Sequence, residues 1–143
     1  MPSPQAIRHQ ELLEARRNDP PEPPEGLDTM AVARLANDLF ASWAGPADVA
    51  VTEVDADGVR SLWVDPPGAD VERVVLYFHG GGYILGTADH VVNMVGHIAR
   101  VAGCRALSVD YRLAPEHPFP SGLDDAVSAY RWVLDQGVRP GQV

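Results

Sequence analysis

The ten residues from Val74 to Tyr83, VVLYFHGGGY, restrict what this chain can fold into more than any other stretch. Val74, Val75, Leu76, Tyr77 and Phe78 form an uninterrupted apolar run. A short run of this kind, bounded by turn signals, predicts a strand buried on both faces, as in the middle of a parallel sheet. Gly80, Gly81 and Gly82 follow at once. Lacking Cβ atoms, they let the backbone turn sharply and pass close to a ligand. A loop of this composition can aim bare N–H groups at one point, which is what a developing oxyanion requires of its surroundings.

The flanking segments supply further elements. Downstream, Thr87 or Asp89 is placed to cap a helix running to about Ala102, with Val91, Val95, Ile98 and Ala102 as its buried stripe and Gly103 as its stop. Cys104–Asp110 reads as another strand. Tyr111–Pro120, YRLAPEHPFP, is too rich in proline for regular structure. Ser121 and Asp124 stand at capping-box spacing before a helix with Leu123, Val127, Tyr130 and Leu134 on one face, closed by Gly137 and Pro140. Upstream, Val49–Asp55 and Val59–Val64 flank Ala56-Asp57-Gly58, a hairpin signal. Earlier still, Ser3-Pro4 opens a weakly amphipathic helix to about Arg16 that carries Ile7, Leu12 and Leu13. Asn18–Gly26 holds four prolines and connects it to a second helix capped by Asp28. Leu27 and Val32 take hydrophobic-staple positions there. Val32, Leu35, Leu39 and Trp43 form an apolar stripe that Gly45-Pro46 ends. That stripe reads equally as packing on the domain's own core or as a lid over a site. The pattern is two helices, a hairpin, then strand–helix–strand–helix, an α/β class with a mostly parallel sheet.

Composition narrows the function. With 45% hydrophobic residues the 143-residue chain has material for a core, and a formal charge of −9 argues against nucleic acid and anionic membrane surfaces as partners. All 11 basic residues are Arg, which reads as codon bias. Cys104 is alone, so it forms no intrachain disulfide and reads as a small core residue. MPSPQAIRHQELLEARR has no apolar segment of the signal-peptide kind, and no run approaches membrane-spanning length. A cytoplasmic location is the expectation.

HGGGY after a strand, with DYRLAPEHPFP about thirty residues on, resembles the hormone-sensitive-lipase-type α/β-hydrolases, the fold-3 group of carboxylesterases and lipases. The resemblance implies a helical cap segment over residues 1–46 and the N-terminal half of an α/β-hydrolase core over 47–143. It implies serine acyl transfer on a small apolar ester, with no cofactor and no metal. Gly81 and Gly82 would be the oxyanion donors. Gly80 would allow the turn, and His79 would anchor the loop from behind. Asp110, Tyr111 and Glu116 would brace that loop, while Tyr83, Leu39 and Trp43 would border the substrate pocket. The resemblance also places the strand ending at Phe78 between the strand ending at Asp110 and one beyond Val143.

Three glycines also suit a plain flexible turn, whereas a P-loop would need Gly-Lys-Ser/Thr and the chain has no Lys. His79 fits poorly as a general base, because the triad order of this fold is Ser, then Asp or Glu, then His. His90, His97 and His117 lack metal-ligand spacing and read as surface or supporting residues. Ser3, Ser42, Ser61, Ser108, Ser121 and Ser128 all lie outside any Gly-x-Ser-x-Gly. The expectation is therefore a chain that supplies the oxyanion loop but not the triad. Its partner would be the remainder of the same enzyme, and a homo-oligomer is left open. The alternative is a catalytically inactive truncated chain serving as a binding or interaction module.

Overall fold

The computed structural model describes Ser3, Ile7, Arg8, Gln10, Glu11, Glu14, Gly26, residues 28–38 and residues 44–143. Leu12, Leu13, Leu27, Leu39 and Trp43 lie outside the described residues, as does the side chain of Leu35. The chain divides into two compact units, Met1–Val32 and Ala33–Val143. In the first, Ile7, Arg8, Gln10, Glu11 and Glu14 are helical, and the Ile7 N–H donates to the Ser3 carbonyl (3.0 Å). Helix α1, Thr29–Asp38, begins in this unit. Asp28 caps it as expected, its Oδ1 accepting from the Ala31 N–H at 2.7 Å.

The second unit is built on a four-stranded sheet of β1 (Ala50–Asp55), β2 (Arg60–Asp65), β3 (Asp70–Phe78) and β4 (Cys104–Val109), in the order β1-β2-β4-β3. β1 and β2 are antiparallel, with Asp55 opposite Arg60. Asp57 and Gly58, both at positive φ, make the two-residue turn between them. β2 pairs antiparallel with β4, and β3 pairs parallel with β4, with Val75 opposite Ala106 and Phe78 opposite Val109. The parallel pair requires a crossover, supplied by α2 (Ala88–Ala102). α3 (Ser121–Asp135) follows β4, and a short 3₁₀ turn covers Pro140–Gln142.

Alternation along the strands sends side chains to two cores. Val74, Leu107 and Val109 join Trp63, Ala129 and Val133 on the α3 face. Val75, Tyr77 and Ala106 join Val64, Val95 and Ala99 on the α2 face. Trp63 meets Trp132 at 5.8 Å between ring centroids. The Arg105 guanidinium lies 3.7 Å from the centre of the Trp63 ring, held there by bonds to Asp65 of 2.9 and 3.0 Å. Cys104 is buried, as a small core residue.

Four sequence expectations need correction. The run Val74–Phe78 is not buried on both faces. Val74 is, Val75 to Tyr77 are half-buried and Phe78 is 38% exposed, because among the described residues β3 has β4 on one side only. The buried stripe of α2 is Ala88, Val95, Gly96 and Ala99, with Val91 and Val92 partly buried, while Ile98 and Ala102 face outward. Gly96 sets this rotation: a Cβ there would lie 3.2 Å from the Pro46 ring, so the helix rests on that segment. Ser121 forms no capping box. It is the first helical residue, Pro120 takes the cap position, and no side chain caps the helix. α3 buries Asp125, Ala129 and Val133, leaving Leu123 and Val127 exposed, because Asp125 turns inward to bond Arg112.

Candidate active site

β3 delivers the glycine loop. The His79 ring is 3% exposed and its Nδ1 lies 2.9 Å from the Gly80 carbonyl. A carbonyl oxygen only accepts, so Nδ1 carries the hydrogen. The next carbonyl, of Gly81, accepts from the N–H groups of Ile84 (3.2 Å) and Leu85 (3.0 Å). In a trans peptide the C=O of one residue and the N–H of the next point in opposite directions. Pinning the Gly80 carbonyl therefore turns the Gly81 N–H away from His79. Pinning the Gly81 carbonyl likewise turns the Gly82 N–H away from the Ile84–Leu85 turn. Among the described residues neither N–H meets an acceptor.

The loop tolerates little else at two points. A Cβ on Gly81, at φ +129, would stand 2.0 Å from the Leu85 carbonyl oxygen. One on Gly86, at φ +96, would stand 2.4 Å from His79 Nδ1 and 2.7 Å from the Gly80 oxygen. Gly86, which the sequence pattern did not single out, is what lets the histidine close on the loop. Gly80 has nothing within 4 Å of its Cβ direction.

Tyr111 backs the loop. Its ring stacks on His79 with centroids 4.3 Å apart, and its hydroxyl donates to the His79 carbonyl at 2.6 Å. Burial, and after it the neighbouring Tyr83, raises the Tyr111 phenol above its ordinary value, so it stays a donor. α3 holds Tyr111 in place through two residues. Gly122 leaves room for the ring, since a Cβ there would lie 3.2 Å from it. Asp125 accepts from the adjacent Arg112 N–H at 2.8 Å and from the Arg112 guanidinium at 2.7–3.0 Å. Burial pushes the Asp125 carboxyl up, but the Arg112 bonds outweigh it and the net shift is downward.

Asp110 reaches across the sheet rather than to its own loop. Its Oδ1 accepts from the Ala88 N–H at the start of α2 (2.9 Å), and its Oδ2 accepts from Arg60 (3.0 Å). Arg60 also binds Glu53 and Asp89. The Asp89 bond chiefly raises the guanidinium further, and the same bond lowers the Asp89 carboxyl. α2 thus gains two anchors at its first turn, the Asp110 bond and the Thr87 cap on the His90 N–H. Glu116 forms a two-pronged pair with Arg34 (2.7 and 2.8 Å), which lowers its carboxyl to about 2.

Gly80, Gly81, Gly82, His79, Tyr83 and Tyr111 line one cleft of about 770 Å³ together with Phe119, Leu123 and Ala126. Tyr83 is 71% exposed at its mouth. Glu116 lies outside this cleft, on a neighbouring cavity of about 430 Å³ that it shares with Arg34. Leu39 and Trp43, the expected pocket residues of the cap segment, are among those not described. Arg34, Arg60, Gly86, Gly122 and Asp125 were missed, and no local spacing pointed to them. Among the described residues no group of three or more His, Cys, Asp or Glu is placed to hold a metal ion, and no helix is long and apolar enough to cross a membrane.

A mixed sheet carrying a glycine loop at the C-terminal end of a parallel strand, with helices on both faces, is an α/β arrangement of the kind that α/β-hydrolases have. Residues 75–143 match the family model described as alpha/beta hydrolase fold. The chain is 44% identical to esterase LipI of Mycobacterium tuberculosis over 87 residues, 59% of this chain and 27% of LipI. It is 46% identical to carboxylesterase NlhH of the same organism over 88 residues, 58% of this chain and 26% of NlhH. The crystal structure of an esterase from the bacterial hormone-sensitive lipase family superposes with a TM-score of 0.83 at 37% identity, over 99% of this chain and 46% of that one. The chain is similar to the hormone-sensitive-lipase type of α/β-hydrolases, and it spans about half the length of the solved structures it matches.

Proposed function

We propose that this chain supplies the oxyanion loop of a carboxylic-ester hydrolase acting by serine acyl transfer. Gly81 and Gly82 would donate their N–H groups to the oxyanion as a serine attacks the ester carbonyl, and water would then release the acid. The observation that carries this reading is the pair of carbonyls, Gly80 and Gly81, each held by a hydrogen bond while the N–H group that follows each meets no acceptor among the described residues. His79, Tyr111 and Asp110 would act through the loop and the helix behind it rather than on the substrate.

No serine of this sequence stands in Gly-x-Ser-x-Gly, so the nucleophile and its Asp and His partners would come from residues outside it. The cleft wall of Tyr83, Phe119 and Leu123 suits a small apolar ester. Residues 1–46, with Leu39 and Trp43, would form a cap over the acyl pocket. The reaction as proposed calls for no cofactor, and the buried single cysteine agrees with a cytoplasmic setting. The test is hydrolysis of short-chain p-nitrophenyl esters by the 143-residue chain alone and after addition of a polypeptide carrying the triad. Turnover is expected only from the pair. Labelling of this chain alone by a serine-directed phosphonate would refute the division of labour.

A second reading, an interaction module without catalysis, draws on one observation. β3 is an edge strand whose outer side has no neighbour among the described residues, and Val75, Leu76 and Tyr77 are half-exposed along it. Ester turnover by the completed enzyme separates the two readings.

A further inference from the structure

One guanidinium joins two loops that are far apart in sequence. Arg34 Nε donates to the Ile84 carbonyl at 3.3 Å, just past the glycine loop. Its Nη2 donates to the Ala114 carbonyl at 3.2 Å, in the proline-rich loop. Nη1 and Nη2 also bind the two Glu116 oxygens. The two loops also touch each other directly, where the Ala114 N–H donates to the Tyr83 carbonyl at 2.9 Å and where Tyr111 bonds and stacks on His79. A planar guanidinium presents its donors in a fixed fork, so occupying four acceptor oxygens on three residues at once sets their mutual positions.

We infer that Arg34 is a clasp that makes the conformation of the glycine loop depend on its own placement. Glu116 orients the fork, and the fork holds Ile84 and Ala114. The Ile84 N–H in turn binds the Gly81 carbonyl, whose peptide carries the Gly82 N–H. The path from Arg34 to the open donors is therefore two hydrogen bonds long. Any ligand or partner that drew Arg34 away would release the loop without touching a glycine. Lysine cannot substitute: its ammonium is a point charge and offers no planar fork. The clasp orders the loop whatever chemistry the loop serves.

Hydrogen exchange on the 143-residue chain tests this. Arg34→Ala should speed exchange of the Leu85 and Ala114 amides by at least about tenfold, with the Leu62, Val64 and Leu107 amides of β2 and β4 unchanged as an internal reference. Arg34→Lys should recover less than half of that protection on a logarithmic scale. Glu116→Gln, which keeps one acceptor oxygen for the fork, should cost less than Arg34→Ala. Exchange at Leu85 and Ala114 that stays within about twofold of the parent in Arg34→Ala would overturn the inference. So would full recovery by Arg34→Lys. Acceleration spread equally over β2 and β4 would also overturn it, because Arg34 would then be a general stability contact.

Discussion

The Tyr111 hydroxyl donates to the His79 carbonyl at 2.6 Å while the two rings stack 4.3 Å apart, so one residue fixes both the backbone and the side chain at the head of the glycine loop. Tyr111→Phe keeps the stack and removes the donor. A buried carbonyl left without its partner costs about 1–3 kcal/mol. Urea unfolding of the variant should show a loss in that range with an unchanged m-value. A loss below about 0.3 kcal/mol would mean that water takes over the bond.

The glycines differ in what they tolerate. A Cβ on Gly86 meets His79 Nδ1 at 2.4 Å and the Gly80 oxygen at 2.7 Å, whereas one on Gly80 meets nothing within 4 Å. Gly86→Ala should therefore destabilise by about 2 kcal/mol or more, and Gly80→Ala by less than about 1 kcal/mol. Equal losses in denaturant titrations would contradict the packing of His79 on this loop.

Acid should weaken the fold. Asp70, Asp89, Glu116 and Asp125 all titrate below their ordinary values because an arginine binds each of them. A carboxylate with a depressed folded-state value contributes stability above its unfolded value and loses it as pH falls through the folded one. For Glu116 that window runs from its ordinary 4.5 down to about 2. Thermal midpoints should fall as pH drops from about 5 toward 2, and Glu116→Gln should make the fall shallower. The Glu116 part should be small and salt-sensitive, since the Arg34–Glu116 pair is largely exposed. A midpoint that rises on acidification would contradict these pairings.

Local signals carried most of the fold. Thr87 and Gly103 delimit α2 as read, and Asp57-Gly58 makes the hairpin turn, because caps and turns act within a few residues. Rotations of the helices were not legible. α3 turns toward Asp125 because Arg112 waits in another segment, and α2 turns toward Gly96 because Pro46 lies beneath it. Apolar spacing alone favoured Leu123 and Ile98, which are exposed. The glycine loop itself was plain in the sequence, and the resemblance named Asp110, Tyr111 and Glu116 as its braces, but the arginine partners of Glu116 and Asp110 were not legible. Arg34 lies 82 residues from Glu116 and Arg60 lies 50 from Asp110, and no periodicity reports contacts at such range.

The edge of the sheet should be adhesive. Among the described residues nothing pairs with the outer backbone groups of β3, which lie beside a run with no proline or lysine within it. Sedimentation of the 143-residue chain should show association that grows with concentration. Amides of residues 74–78 should become protected in the associated species. A monodisperse monomer with those amides already protected would mean that another segment covers the edge.

The most direct measurement is the turnover of a completed enzyme, made by joining this chain to the triad-bearing part of a relative, with and without Gly81→Ala. A Cβ at Gly81 would strike the Leu85 carbonyl oxygen at 2.0 Å and push the loop from its position. The account predicts that kcat falls about a hundredfold or more while KM for a short-chain ester changes little, the signature of lost oxyanion donors. Turnover that survives Gly81→Ala within a factor of about three would contradict the assignment of this loop to the oxyanion.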